Sequence, residues 1–337
     1  MSDRDLSDDA HREILRRDIL PLYFPGESAS ESPSLVLLGG QSGAGRLRAT
    51  AVLLPEHAGD LAVLSGDELR AFHPGYRELT ISSSTDGSQE LARASAVWVR
   101  DCIRHARENQ RSLLLEGTFR DPSVAVGTAA RFAAGGFQTR VVVVGSRRPE
   151  SLLTVVSRYL RDVQVGGPAR YTSREAHDGG FEAARALVST VEETPSVDRL
   201  TVLSRGGDVV FDARRADGED PFRGASAALM AAQAARMGRF DATQWLSELH
   251  HVTDFASSRR DLPGGVTESL VDLHETALRE VIPELHVPAD GKFATAIEQK
   301  TVARLVALRR SLQPAQSADV AAPVLAPGGP ERGGVSR

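Results

Sequence analysis

Short, continuous apolar runs recur along the first two-thirds of the chain, each closed by glycine or a small polar residue. They occupy 35–38, 61–64, 113–115 and 141–144, with further candidates at 200–203 and 209–211 separated by Gly206-Gly207. Runs of this length without polar alternation are the pattern of strands buried on both faces. Helical periodicity lies between them. One helix is predicted over 46–54 and stopped by Pro55, and another over 88–107. A third is opened by Asp121-Pro122 and stopped by Gly135-Gly136, and a fourth covers 149–163 before Gly166-Gly167-Pro168. Alternation of strands and helices predicts an α/β fold, a parallel sheet wrapped by helices. From Pro221 onward the pattern is helical only, with caps or breaks near Asp241, Pro263-Gly264 and Pro288.

This divides the chain into an N-terminal helical segment and loop (1–34), an α/β domain (35–215), an all-helical C-terminal extension (216–312) and a tail (313–337). The tail is rich in Pro, Gly, Ala and Ser, a composition of disorder. The whole is 337 residues, 41% hydrophobic and 25% charged, ordinary for a globular protein with a sizeable core. Forty basic against 45 acidic residues leave −5, so bulk charge does not point to nucleic acid. Cys102 is the only cysteine, which excludes an intrachain disulfide and a cysteine zinc site; its helical context predicts a small core residue. The opening residues lack a secretory apolar core, and no apolar run is long enough to span a bilayer, so a cytoplasmic protein without membrane contact is expected.

Chemistry concentrates where the runs end. Gly40-Gln41-Ser42-Gly43-Ala44-Gly45-Arg46-Leu47 follows a predicted strand and opens a predicted helix, the context of a phosphate-binding loop, G-x-x-x-x-G-K-[ST]. Glycines let backbone N–H groups converge on an anion, and the helix N-terminus adds free donors and a favourable dipole. Two positions depart from the pattern. Arg46 stands for Lys, keeping the charge on a bulkier planar fork, and Leu47 stands for the Ser or Thr whose hydroxyl would hold Mg²⁺. Taken alone, the loop also admits a plain glycine-rich strand–helix turn. Asp67 and Glu116-Gly117-Thr118, however, also lie just beyond apolar runs. In an open parallel sheet all three loops converge on the carboxyl edge, where ligands bind. A carboxylate there can accept a hydroxyl proton or help hold Mg²⁺, although each alone also reads as a helix cap. Arg158 on its helix and Arg170 beyond the Gly-Pro break suit the oxygens of a transferring phosphoryl group. Arg161 and Arg174 read better as exposed helix charges.

Together these blocks resemble the zeta toxin family: Gly-Gln-x-Gly-x-Gly at 40–45, Ser65-Gly66-Asp67 with Phe72-His73-Pro74, and Glu116-Gly117-Thr118-x-Arg120. Arg158, Pro168-x-Arg170 and Glu175-Ala176-His177-Asp178 follow in the family's order, so the resemblance covers about 30–215. It implies a P-loop NTPase-type fold and an ATP- and Mg²⁺-dependent kinase that phosphorylates the sugar 3′-hydroxyl of UDP-N-acetylglucosamine, often paired with an antitoxin that blocks the ATP site. The resemblance makes Asp67 the general base, with Arg46, Arg158 and Arg170 acting on the phosphates. It makes Glu116, Thr118 and Arg120 the contacts to sugar nucleotide or metal, with Glu116 as the metal-side carboxylate. Leu47 leaves the metal to phosphates, water and that carboxylate. Arg100, beside Asp101, stands where the family often carries a substrate-binding Glu. Two alternatives therefore stay open: a catalytically impaired protein that binds ATP or a sugar nucleotide, and a kinase for another acceptor. His250 and His251 adjoin on a helix and point apart. His73 and His177 are expected to shape the substrate pocket, Trp98 and Trp245 to pack between helices, and the Arg pairs at 214–215 and 259–260 to be solvated.

Overall fold

The computed structural model describes residues 6–26, 29–57, 60–81, 85–288 and 291–312; the tail predicted at 313–337 lies outside them. Helix α1 (Asp8–Ile14), a π-helical turn (Leu15–Ile19) and α2 (Leu20–Tyr23) lead into β1 (Ser34–Gly39). Then come α3 (Arg46–Leu53), β2 (Ala62–Ser65), the single turn α4 (Gly66–Leu69), α5 (Tyr76–Ile81), the long α6 (Thr85–Glu108) and β3 (Leu113–Gly117). Helix α7 (Pro122–Ala133), β4 (Gln138–Gly145), α8 (Arg148–Gln164), α9 (Arg174–Glu192), β5 (Arg199–Ser204) and β6 (Val209–Arg214) complete the α/β part. Helices α10 (Ala225–Ala234), α11 (Arg239–Ser257), α12 (Gly264–Thr276) and α13 (Lys292–Leu312) follow.

The sheet order is β2-β3-β1-β4-β5-β6. β1 is central and every one of its residues is buried, as its unbroken apolar run requires. Its side chains divide by parity: Leu35 and Leu37 join the core under α6, α7 and α9, while Val36 and Leu38 join the core under α3. Five strands are parallel, but β6 pairs antiparallel with β5. The expected parallel sheet is present, and the antiparallel edge strand is added by the linker. A tight turn through Gly206 and Gly207, closed by Ser204 N–H donating to Asp208 O at 2.7 Å, reverses the chain.

Helix α9 is a 19-residue element that the hydrophobic pattern did not announce; Ser173 caps it by accepting from Ala176 N–H. The N-terminal helices are not a detached segment. Ile14, Ile19 and Phe24 enter the main core, and the Trp98 indole on α6 donates to His11 O at 3.1 Å. Downstream, α10 lies on the sheet and supplies Ala225 and Leu229 to the same core, whereas α11, α12 and α13 build a separate core against Leu152, Val156 and Leu160 of α8. Trp245 closes that interface, donating to Pro149 O at 3.1 Å. Cys102 is fully buried, and burial pushes its thiol up to about 12, so it packs as an inert small residue.

Candidate active site

Register brings the strand ends level. Glu116 of β3 faces Leu38 of β1 on one side and Ser65 of β2 on the other, so the loops after all three strands open on one edge. The first is the phosphate loop. Gly43 and Gly45 have φ of 79° and 103°, and a Cβ on Gly43 would collide with the Ser151 carbonyl oxygen of α8. Ala44 N–H closes the loop onto Gln41 O at 3.1 Å, and α3 begins with Arg48 and Ala49 N–H turned back to Gly45 O. Arg46 sits largely buried at the mouth. Its Nη1 donates to Gly40 O at 3.3 Å and its Nε lies 3.9 Å from Glu116 Oε2. Burial lowers Arg46's proton affinity, while Glu116 and Asp67 work against that and Arg158 adds to it, so all three charged groups lie within its field. Leu47 is 84% exposed and offers no oxygen to a metal.

Asp67, in the first turn of α4, bonds Arg170 and lies 3.7 Å from Arg70 Nε. Burial alone would raise its pKa, but Arg170, Arg70 and Arg46 outweigh it, and the carboxyl is held below the usual range. Glu116 Oε1 accepts from Thr50 of α3 at 2.7 Å. Beyond it, Phe119 has φ of 42°, a rare strained position at the turn that presents Thr118 and Arg120. Gly180 of α9 packs on Gln41 and Thr118, and Arg120 is exposed. The structure therefore gathers the phosphate loop, Asp67, Glu116 and Arg170 on one edge, with Arg158 within Arg46's field. Thr118 and Arg120 follow Glu116 directly.

Other participants carry no sequence motif. Thr50 holds Glu116 from one turn down α3. Glu68, whose carboxyl is raised by burial and by Glu116 and Asp67, accepts from Tyr23, and Tyr23 is in turn pushed up to about 12. Arg205, beyond β5, clamps the loop: Nη1 donates to Gly43 O at 2.6 Å and Nη2 to Thr154 at 2.8 Å. It also lines a cleft of about 490 Å³ between α8 and α11. Only the fold brings these chain segments together, so spacing could not have found them.

Several readings change. His177 is completely buried behind the loop and His73 is buried beside Glu90 of α6, 3.5 Å away; neither lines an open pocket. Arg215 is no solvated charge, since it lies over the Phe222 ring at 3.9 Å and donates to Thr194 O at 2.6 Å. Arg161 is the exposed helix charge it was expected to be, and it also bridges α8 to Glu248 of α11 at 2.5 Å. His250 turns inward to Thr301 while His251 is exposed, as adjacency on a helix implies.

The zeta toxin family model matches residues 24–216, more than half the chain and all of the sheet. The chain belongs to the zeta toxin family. Members of this family are phosphotransferases. Toxin PezT of Streptococcus pneumoniae is 26% identical over 216 residues, 64% of this chain and 85% of that one. Toxin zeta of Enterococcus hirae is 27% identical over 192 residues, 56% of this chain and 67% of that one. A solved chain from the PezAT chromosomal toxin–antitoxin system superposes with a TM-score of 0.64 at 22% identity, covering 74% of this chain and 98% of its own. That likeness establishes the fold and extends past the family match into the helical region. Among the described residues no helix is long and apolar enough to cross a membrane.

Proposed function

We propose that this zeta toxin family member transfers the γ-phosphoryl group of ATP to a sugar hydroxyl of UDP-N-acetylglucosamine. The observation that carries the reading is the joint placement of an ionised Asp67 and the phosphate loop at one sheet edge, with Arg170 on the Asp67 carboxylate. Loop N–H groups and the α3 N-terminus would hold the donor phosphates, and Arg46 would meet the β- and γ-phosphates. Asp67 would orient the acceptor hydroxyl and take its proton. A carboxylate of low basicity suits a loose transition state, in which the proton leaves late. Arg170 is engaged by the Asp67 carboxylate. An incoming γ-phosphoryl group would draw it away, uncovering the base and neutralising the transferring charge in one movement, with Arg158 beside it. Glu116, Thr118 and Arg120 would address the sugar nucleotide.

Mg²⁺ commonly keeps several waters and takes one or two carboxylates with substrate phosphates. Glu116, fixed by Thr50, fits the carboxylate role, while Leu47 cannot ligate; bound Mg²⁺ would neutralise charge between the β- and γ-phosphates. Because the PezAT match is a toxin–antitoxin system, an antitoxin protein is the expected partner; a cytoplasmic reaction belongs to the same reading. The exposed Leu47 favours one second reading, a protein that binds ATP or sugar nucleotide without transfer. Incubation of purified protein with ATP, Mg²⁺ and UDP-N-acetylglucosamine, read by mass, separates them. A phosphorylated sugar nucleotide is expected. ATP binding with no ADP and no phosphorylated product would install the second reading, and ADP formed only with another hydroxyl compound would change the acceptor.

A further inference from the structure

We infer that His177 is a positioning residue for the phosphate loop, acting through a buried relay that ends in the C-terminal helices. Gln41, second in the loop and fully buried, donates through Nε2 to Ser146 O and to Ser151 Oγ, both at 3.1 Å. Ser151 Oγ lies 2.8 Å from His177 Nε2, and His177 Nδ1 lies 3.0 Å from Asp178 Oδ1. Asp178 receives both arms of Arg148, at 2.8 and 2.9 Å, and Arg148 also donates to Asp272 of α12 at 2.7 Å.

One assignment of protons satisfies the loop side of the chain. Ser151 accepts from Gln41; its hydroxyl also lies 3.1 Å from Arg147 O and 3.2 Å from Arg148 O, but its shortest contact is to Nε2, and it donates there. His177 is then neutral with its proton on Nδ1, which donates to Asp178. A buried hydroxyl and imidazole placed so are costly to leave unpaired, which makes the arrangement all-or-none. It sets the rotamer of Gln41, whose backbone carbonyl closes the loop by accepting from Ala44 N–H. Small displacements of such a loop matter because its N–H groups must converge on one phosphate. The relay also explains why helices outside the α/β sheet are held so firmly to it. Asp272 neutralises the outer end of Arg148, and nearby Arg147 makes a buried pair with Glu284 at 2.7 Å.

The inference rests on the donor reading above, and the test separates the two. Affinity for ATP by calorimetry and steady-state KM and kcat are measured for the parent, His177→Ala, His177→Gln and Asp272→Asn. ATP binding by the parent supports the donor reading; its absence would remove that reading and the relay with it. His177→Ala should raise KM for ATP about tenfold, the consequence of losing roughly one buried hydrogen bond, with kcat changed less than about twofold. His177→Gln, whose side-chain oxygen reaches the Nε2 position, should recover most of the affinity. Asp272→Asn, which leaves the loop untouched and one charge short at the far end, should raise KM about two- to threefold. A purely structural role would lower the melting point and the active fraction, reducing kcat while KM stayed constant. That outcome in His177→Ala, or in Asp272→Asn should His177→Ala fail to fold, overturns the inference.

Discussion

The two ends of the sheet both carry arginine clusters, and they differ in how completely those charges are satisfied. At the amino ends of the parallel strands, a cavity of about 590 Å³ is ringed by Arg140, Arg199, Glu56 and Asp198, among others. Arg140 bonds Glu56 at 2.9 Å and Thr201 at 3.0 Å; Arg199 holds Asp212 with both arms at 2.9 Å and Glu56 at 3.2 Å. Thr201 completes the ring by donating to Asp212 at 2.6 Å. At the carboxyl ends, Arg46 reaches Glu116 only at 3.9 Å, and Arg170 sits on a half-exposed Asp67. Arg158 forms no ion pair among the described residues. The chemistry of Arg140 and Arg199 in this cavity is thus closed, since fixed carboxylates already occupy both cations. The end with a long Arg46–Glu116 pair and a solvent-exposed Arg170–Asp67 pair beside the phosphate loop is the one able to exchange partners with a phosphate.

Removing the base should separate the two ends most sharply. Asp67→Asn is expected to lower transfer about 10³-fold while ATP binding, read by calorimetry, stays within about twofold; parent-like turnover would remove Asp67 from the base role. Next in size is Gly43→Ala. Its new Cβ meets the Ser151 carbonyl and the residue must keep φ near 79°, so ATP affinity should fall at least about tenfold and the melting free energy by about 1–3 kcal/mol.

A third effect concerns pH. Arg170 helps hold the Asp67 carboxyl below its usual value, so the favourable interaction is complete above that value and lost as pH falls through the lowered one. In Arg170→Ala the carboxyl should titrate at higher pH, and NMR titration of Asp67 should move toward neutrality; an unmoved titration would mean Arg70 and Arg46 suffice. Leu47→Thr restores a hydroxyl at the loop and should increase turnover a few-fold, on the order of 2–5, at limiting Mg²⁺. No gain across a Mg²⁺ titration would show the metal already well held. The smallest effect belongs to the opposite end. Glu56→Gln should leave KM and kcat unchanged and cost no more than about 1 kcal/mol in denaturant unfolding, because Glu56 is partly exposed and Arg199 keeps Asp212.

The sequence already brought the residues of the candidate site to one sheet edge. Strand-ending motifs such as Ser65-Gly66-Asp67 and Glu116-Gly117-Thr118 are local, and an open parallel sheet has one ligand edge, so convergence followed from topology alone. The limits are equally particular. His177 looked like a pocket residue because it lies in one of the family-matching blocks, yet its ring is sealed between α8 and α9. Arg215 looked solvated because it sits in a short Arg pair, and only the approach of Phe222 turned it inward. α9 was missed because its opening turn, Arg174 to Gly180, is polar and glycine-containing, and its stability comes from burial of residues such as Ala184, Leu187 and Val188.

Strand identity, the phosphate loop, the carboxylates at the strand ends and the family all rest on short-range pattern, because apolar period, glycine spacing and caps act over a few residues. Which charges are paired was decided otherwise. Arg205 reaches Gly43 from 162 residues away, and Asp272 reaches Arg148 from 124. A charge's role depends on the nearest opposite charge and on how much water is excluded, and both are properties of the folded neighbourhood rather than of the residue.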